Sequence, residues 1–110
     1  MKHTTSLNQN RMFKRVYYKG AVQSSPLLVI YMLKNNTNKN RIGITVSKKI
    51  GKAVVRDRAK RVIKAAYSEL ELGLPVGFDF VFVARFKTAG SKSTQIKRIM
   101  QKNIKVLACI

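Results

Sequence analysis

At 110 residues the chain is long enough for one domain with a real core and too short for two. Its 23 Lys+Arg against 4 Asp+Glu give a formal net charge of +19, and a hydrophobic content of 45% excludes a disordered basic tail. Such a charge calls for a phosphate-rich partner. A membrane is the other polyanion to weigh, but no apolar run approaches the roughly 20 residues of a spanning helix and no signal-peptide pattern opens the chain, so no membrane partner is expected.

Residues 1–9 are polar and basic and read as a mobile arm; His3, isolated there, is incidental rather than a ligand. Asn8 or Asn10 is placed to cap a short helix through Arg11–Lys19, stopped by Gly20. Met12, Phe13, Val16 and Tyr17 share one face of it. Such a stripe is ordinarily core; the lesser alternative, in so basic a chain, is a stacking platform for bases. After a turn at Gln23–Pro26, the run LLVIYML reads as a strand and Asn35–Asn40 as a polar loop. Arg41–Val46 reads as a second strand, forming an antiparallel hairpin with the first.

The stretch Ser47–Tyr67 opens with a lysine-glycine loop and becomes helical. At about 100° per residue, Val55, Ala59, Val62, Ile63, Ala66 and Leu70 fall on one arc with Tyr67 at its edge. Arg56, Arg58, Lys60, Arg61 and Lys64 fan over the rest, with only Asp57 among them. A solvated surface helix mixes signs; here the counter-charges are missing, so the face is built for an external polyanion. The helix runs out near Glu69–Gly73, and Leu74–Gly77 turns the chain into FDFVFVA (Phe78–Ala84), the clearest strand. A loop through Lys87–Lys92 leads to a last helix from about Ser93, with Ile96, Ile99, Met100, Ile104 and Leu107 as its buried stripe. The order αββαβα describes a small α/β two-layer sandwich, one RNA-binding domain over 1–110.

No active site is legible. The acids are Asp57, Glu69, Glu71 and Asp79, of which Asp79 faces outward at the start of its strand. None converge as a metal-dependent nuclease requires. The lone Cys109 cannot form an internal disulfide, which suits a reducing cytosol, and no His–Cys pairing or phosphate-binding glycine fingerprint is present.

The central stretch, Ser47-Lys48-Lys49-Ile50-Gly51 followed by Arg56-Asp57-Arg58 and further cations, resembles the protein subunit of bacterial ribonuclease P. That family carries a serine-lysine-lysine-hydrophobic-glycine loop and a helix with an arginine-asparagine-arginine motif. Phe13, Val16, Tyr17 and Gly20 match its F-x-x-V-[FY]-x-x-G helix, Tyr31 an aromatic in the first strand, and Asp79 and Arg85 its D…AR pattern. The resemblance spans about Leu7 to Leu107. It implies a cytoplasmic ribonucleoprotein that removes the 5′ leader of precursor tRNA, with hydrolysis by the RNA subunit and its Mg²⁺ ions. It implies docking on ribonuclease P RNA through Lys48, Lys49, Lys52, Arg56, Arg58, Lys60, Arg61 and Lys64, and leader binding at Phe13, Tyr17 and Tyr31. No DNA partner is expected. The family fold also implies a left-handed βαβ crossover, against the general right-handed rule.

Asp57 departs from the family's asparagine; a carboxylate cannot donate to phosphate. Neutralisation by Arg61 one turn on is the favoured reading, and a metal site at the RNA interface the alternative. A ribosomal or other structural RNA-binding protein is the competing function; it needs the cations but not the aromatic row.

Overall fold

The computed structural model describes residues 4–108; His3 and Cys109 lie outside them. Five strands form one sheet in the order β1-β4-β5-β3-β2, where β1 is Thr4–Ser6, β2 Ala21–Ser24, β3 Leu28–Lys34, β4 Asn40–Thr45 and β5 Phe78–Ala84. The helices are α1 (Asn10–Lys19), α2 (Ala53–Leu70) and α3 (Ser93–Ala108). The mixed helix and sheet architecture expected from the pattern is present, with two short strands added.

The strand β5 is buried on both faces, which is why its sequence shows no polar alternation. On one face Phe80 and Phe82 pack with Ile30, Ile42 and the apolar stripes of α2 and α3. On the other, Val81 packs with Val16 of α1 and with Leu7. The sheet therefore carries α1 on one side and the α2–α3 pair on the other.

Several expectations need correction. β3 and β4 do not form a hairpin: β5 lies between them, antiparallel to β3 and parallel to β4. The connection β4–α2–β5 carries the chain over the sheet, so sequence neighbours are not ladder neighbours. The segment read as the start of a mobile arm pairs instead: Thr4–Ser6 runs parallel to β4, and Leu7 is buried. Two tertiary bonds hold it, Leu7 N–H to the Ile42 carbonyl at 2.8 Å and the Thr4 and Tyr67 hydroxyls at 2.8 Å. Gln23 belongs to β2 rather than to a turn. The N-cap of α1 is Gln9, with no side-chain cap bond, rather than either asparagine.

Asp79 is also not outward-facing. It is 2% exposed, and the Arg41 guanidinium donates to both its oxygens, Nε to Oδ1 at 2.7 Å and an Nη to Oδ2 at 2.8 Å. Asn35 donates a further bond to Oδ1 at 2.9 Å. On α2, Ala59, Ile63, Ala66, Tyr67 and Leu70 are buried as the arc requires, but Val55, in the first turn, overhangs the core and is exposed.

Candidate nucleic-acid interface

Helix α1 covers only part of its sheet face, and β1 pairs only with residues 40–42 of β4. The edge of β4 beyond Ile42 is left as the floor of a groove between α1 and α2. One part, of about 220 Å³, is lined by Phe13, Gly43, Ile44, Lys60 and Lys64 among others. The adjoining part, of about 420 Å³, is lined by Asn10, Phe13, Tyr17, Ile44, Thr45, Val46 and Lys60.

The aromatics are set by contact. The Tyr17 ring meets Tyr31 edge-on at 4.9 Å between centroids and Phe13 at 6.5 Å. The Tyr17 hydroxyl lies 2.9 Å from that of Thr45. Tyr17 is 38% exposed, whereas Phe13 and Tyr31 are half-buried. Gly43 makes room for Phe13: a Cβ there would sit 2.4 Å from Cε1 and 2.5 Å from Cζ of its ring. The close approach of ring to strand needs glycine.

Beyond the aromatics, Ser47 accepts from Lys49 N–H at 3.2 Å and caps a single 3₁₀ turn, Lys48–Ile50. Gly51 then takes φ 152°, a conformation only glycine adopts readily, and a Cβ there would lie 3.2 Å from the Val55 side chain. This turns the chain into α2 with Lys48, Lys49 and Lys52 exposed. On the helix Arg58, Lys60, Arg61 and Lys64 are exposed and Arg56 is half-buried. The Arg56 Nε is buried without a hydrogen-bond acceptor. Asp57 pairs with Arg61, whose Nε donates at 3.0 Å and one Nη more closely. Hydrogen bonding to Arg61 and its charge hold the Asp57 carboxyl below its ordinary value of 3.8.

The candidate residues therefore divide. Phe13 and Tyr17 line one groove, with Tyr31 packed edge-on against Tyr17, and Lys48, Lys49, Lys52, Arg56 and Arg58 lie along the loop and the first turns of α2. Lys60 and Lys64 face the aromatic groove as well as belonging to the basic helix. Periodicity put them on the polar side of α2 but carried no sign of what stands opposite. Gly43 and Thr45 went unnoticed too; a glycine inside a strand pattern is the signal that marks close approach. Among the described residues no three His, Cys, Asp or Glu side chains group to hold a metal. Asp57, a single exposed carboxylate engaged by Arg61, does not fit a protein-held Mg²⁺ site. No helix among them is long and apolar enough to cross a membrane.

Comparison with known proteins gives one answer. The family model described as Ribonuclease P matches residues 1–108. The ribonuclease P protein component of Clostridium botulinum (strain Langeland) is 46% identical over 80 residues, 72% of each chain. That of Caldanaerobacter subterraneus subsp. tengcongensis is 41% identical over 101 residues, covering 92% of this chain and 87% of the relative. The solved ribonuclease P protein of Staphylococcus aureus superposes with a TM-score of 0.78 at 28% identity, over 92% of this chain and 93% of that one. The Thermotoga maritima protein gives 0.78 at 26% identity, over 96% of both. With a matching family model over nearly all its length, and relatives alike in sequence and fold, the chain belongs to the ribonuclease P protein family.

Proposed function

We propose that this protein component binds the catalytic RNA subunit of ribonuclease P through the cations of the Ser47–Lys52 loop and α2, and binds the single-stranded 5′ leader of precursor tRNA in the groove between α1 and α2. Hydrolysis and the Mg²⁺ ions it needs belong to the RNA subunit, and the holoenzyme works in the cytoplasm. The observation that carries this reading is the groove itself, where Phe13 and Tyr17 stand across from Lys60 and Tyr31 backs the Tyr17 ring edge-on. Unpaired bases are recognised by stacking on aromatic side chains and their phosphates by cations. The groove supplies both at once, with Tyr17 partly exposed and its hydroxyl tethered. A structural RNA-binding protein would need the basic face alone. The lack of grouped acids among the described residues fits chemistry carried by the partner RNA. The unpaired Arg56 Nε is a donor that a phosphate oxygen would complete.

Reconstitution tests the whole reading. Mixed with a bacterial ribonuclease P RNA, the chain should lower the Mg²⁺ needed for correct 5′ maturation, and alone it should cleave nothing. Metal-dependent, correctly placed cleavage by RNA-free protein would overturn the division of labour. For the groove, Tyr17→Ala should cost about 1–3 kcal/mol in affinity for precursor bearing a leader. Mature tRNA, which has no leader to place there, should bind unchanged. Equal losses on both, with a lowered unfolding midpoint, would return the ring to a purely structural role.

A further inference from the structure

The turn between β5 and α3 is tightly built yet displays an aromatic side chain to solvent. Thr88, fully buried, ties the turn together. Its hydroxyl accepts from Arg85 N–H at 2.8 Å and donates to the Leu27 carbonyl at 2.5 Å, while its own N–H donates to the Arg85 carbonyl at 3.0 Å. Ser91 closes it from the other side, its hydroxyl donating to the Lys87 carbonyl at 2.7 Å. Between these anchors Phe86 is 73% exposed, flanked by Arg85 and Lys87. A lone exposed apolar side chain usually needs no explanation. Here the turn holds its small residues inside and its one large ring outside, so the exposure does not come from looseness.

Part of the turn also adjoins the basic face of α2. Its far end and the start of α3 share with α2 a groove of about 610 Å³, lined by Arg58 and Arg61 on one wall and Lys92 on the other. A polyanion seated on the α2 cations therefore meets Gly90, Ser91 and Lys92 at the far end of the turn, whose near end carries Phe86. A flat exposed ring with Arg85 and Lys87 as its chain neighbours, in a turn that ends at such a face, has the form of a single-strand nucleic-acid contact, where stacking tolerates any base and cations meet the flanking phosphates. The Arg85 guanidinium also donates to the Ser24 hydroxyl at 3.1 Å.

We infer that Phe86 is a further RNA-contact residue, stacking on an unpaired nucleotide of the RNA subunit at the edge of the surface that docks α2. The inference rests on the reading of α2 as the docking face, and it assigns Phe86 to the RNA subunit rather than to the precursor leader, whose aromatic groove lies between α1 and α2. Stacking displaces no counterion, so it adds affinity without adding to the salt dependence that phosphate contacts create.

The test is equilibrium binding of the full chain to a bacterial ribonuclease P RNA transcript across a salt series. Phe86→Ala should weaken binding about 5- to 100-fold with an unchanged log–log salt slope and an unchanged unfolding midpoint. Phe86→Tyr, which keeps the ring face, should bind as the parent does, and Phe86→Leu, apolar without a ring, should behave like the alanine variant. Parent-like binding by Phe86→Ala or by Phe86→Leu overturns the stacking contact. A loss seen only when the assembled holoenzyme binds leader-bearing precursor overturns its assignment to the RNA subunit. Arg56→Ala with Arg58→Ala in the same assay separates the two levels. If that pair leaves affinity and slope untouched, the docking face itself is misassigned. If the pair weakens binding and the Phe86 variants do not, only the present inference fails.

Discussion

Gly43→Ala measures how closely Phe13 is seated over β4. The new Cβ would lie 2.4 and 2.5 Å from two ring atoms of Phe13 and 3.3 Å from Leu7 Cβ. The ring must therefore swing away, because the strand below it is paired to β5 and cannot drop. Forcing a methyl into such a contact costs about 1–3 kcal/mol. Alanine also returns about 0.4–1 kcal/mol by restricting the unfolded chain, since Gly43 does not have the positive φ that would forbid a side chain. The net expectation is a loss of stability of about 0.5–2 kcal/mol, read from urea midpoints. In a Phe13→Ala background the clash is gone, and Gly43→Ala should become neutral or stabilising by about 0.4–1 kcal/mol. This reversal of sign is the strongest part of the prediction. Equal losses in the two backgrounds would show that Phe13 does not occupy the space over Gly43, and the groove would have to be redrawn. If the groove holds the leader, Gly43→Ala should also weaken leader-bearing precursor more than mature tRNA, since it moves a stacking ring without removing it.

Replacing Arg56, Arg58, Lys60 and Arg61 with alanine should flatten the salt dependence of RNA-subunit binding, each lost phosphate contact lowering the log–log slope by roughly 0.7 to 0.9; an unchanged slope would remove this face from the interface. Arg41→Ala should destabilise the fold by about 3–5 kcal/mol, because it strands the buried Asp79 carboxylate with only the Asn35 amide as its recorded side-chain partner. Chemical denaturation checks this, and a loss below about 1 kcal/mol would place the pair with ordinary surface bridges. Tyr67 should titrate late: burial raises its phenol above the ordinary 10.0, against the lowering bonds to Thr4 and Asn40 and with a further push from Glu71. The protonated form is the one the fold favours, so this stabilisation is complete below pH 10 and is lost as pH rises from there through the raised folded value. Tyr67→Phe should remove that alkaline component from urea midpoints measured between about pH 9 and 11; an identical alkaline decline in the variant would refute it.

The elements with strong internal period were legible from sequence, and those whose existence depends on a distant partner were not. The stripe of α3 and the buried arc of α2 repeat at helical spacing, and most of each packs as that spacing requires. The exceptions are Val55 in an end turn of α2 and Ile99 of α3, which is only half-buried while Asn103 is buried. β1 has no pattern to read: it is three short polar residues, ordered by pairing with β4 and by the Thr4–Tyr67 bond. The false hairpin came from letting sequence order stand for sheet order, a good rule for strands joined by a short loop. It failed because β5, buried on both sides, takes the central place between them. Asp79 was misplaced for a related reason. A carboxylate at the start of an apolar strand reads as facing outward, but the face it points to is occupied by Arg41, which comes from a distant strand. Of the groove, the aromatic residues could be named in advance. Their opposition to Lys60 could not, because it depends on where α1 and α2 stand across the edge of β4.

The topology also explains why so many cations can crowd one end without unfolding the chain. β4 and β5 are parallel, so their C-terminal ends coincide. From that end issue the Ser47–Lys52 loop, the first turns of α2 and the Arg85–Lys92 turn. Glu69, Glu71 and Asp79 sit at the other end, on the last turn of α2, just beyond it and at the start of β5. Only Asp57 lies within the cationic region, and Arg61 occupies it. None of the three α-helices carries an acid in its first turn, although an acid there is the ordinary means of offsetting the helix dipole. On α2 the omission is compounded, since Lys52 is the N-cap and Arg56 follows in the first turn. Each such choice forgoes about 0.3–1 kcal/mol of local stability. Each also leaves positive potential where a phosphate would be bound. The local rules of helix design are thus broken in one direction and at one end of the molecule, the direction in which an RNA ligand recovers what the free protein gives up.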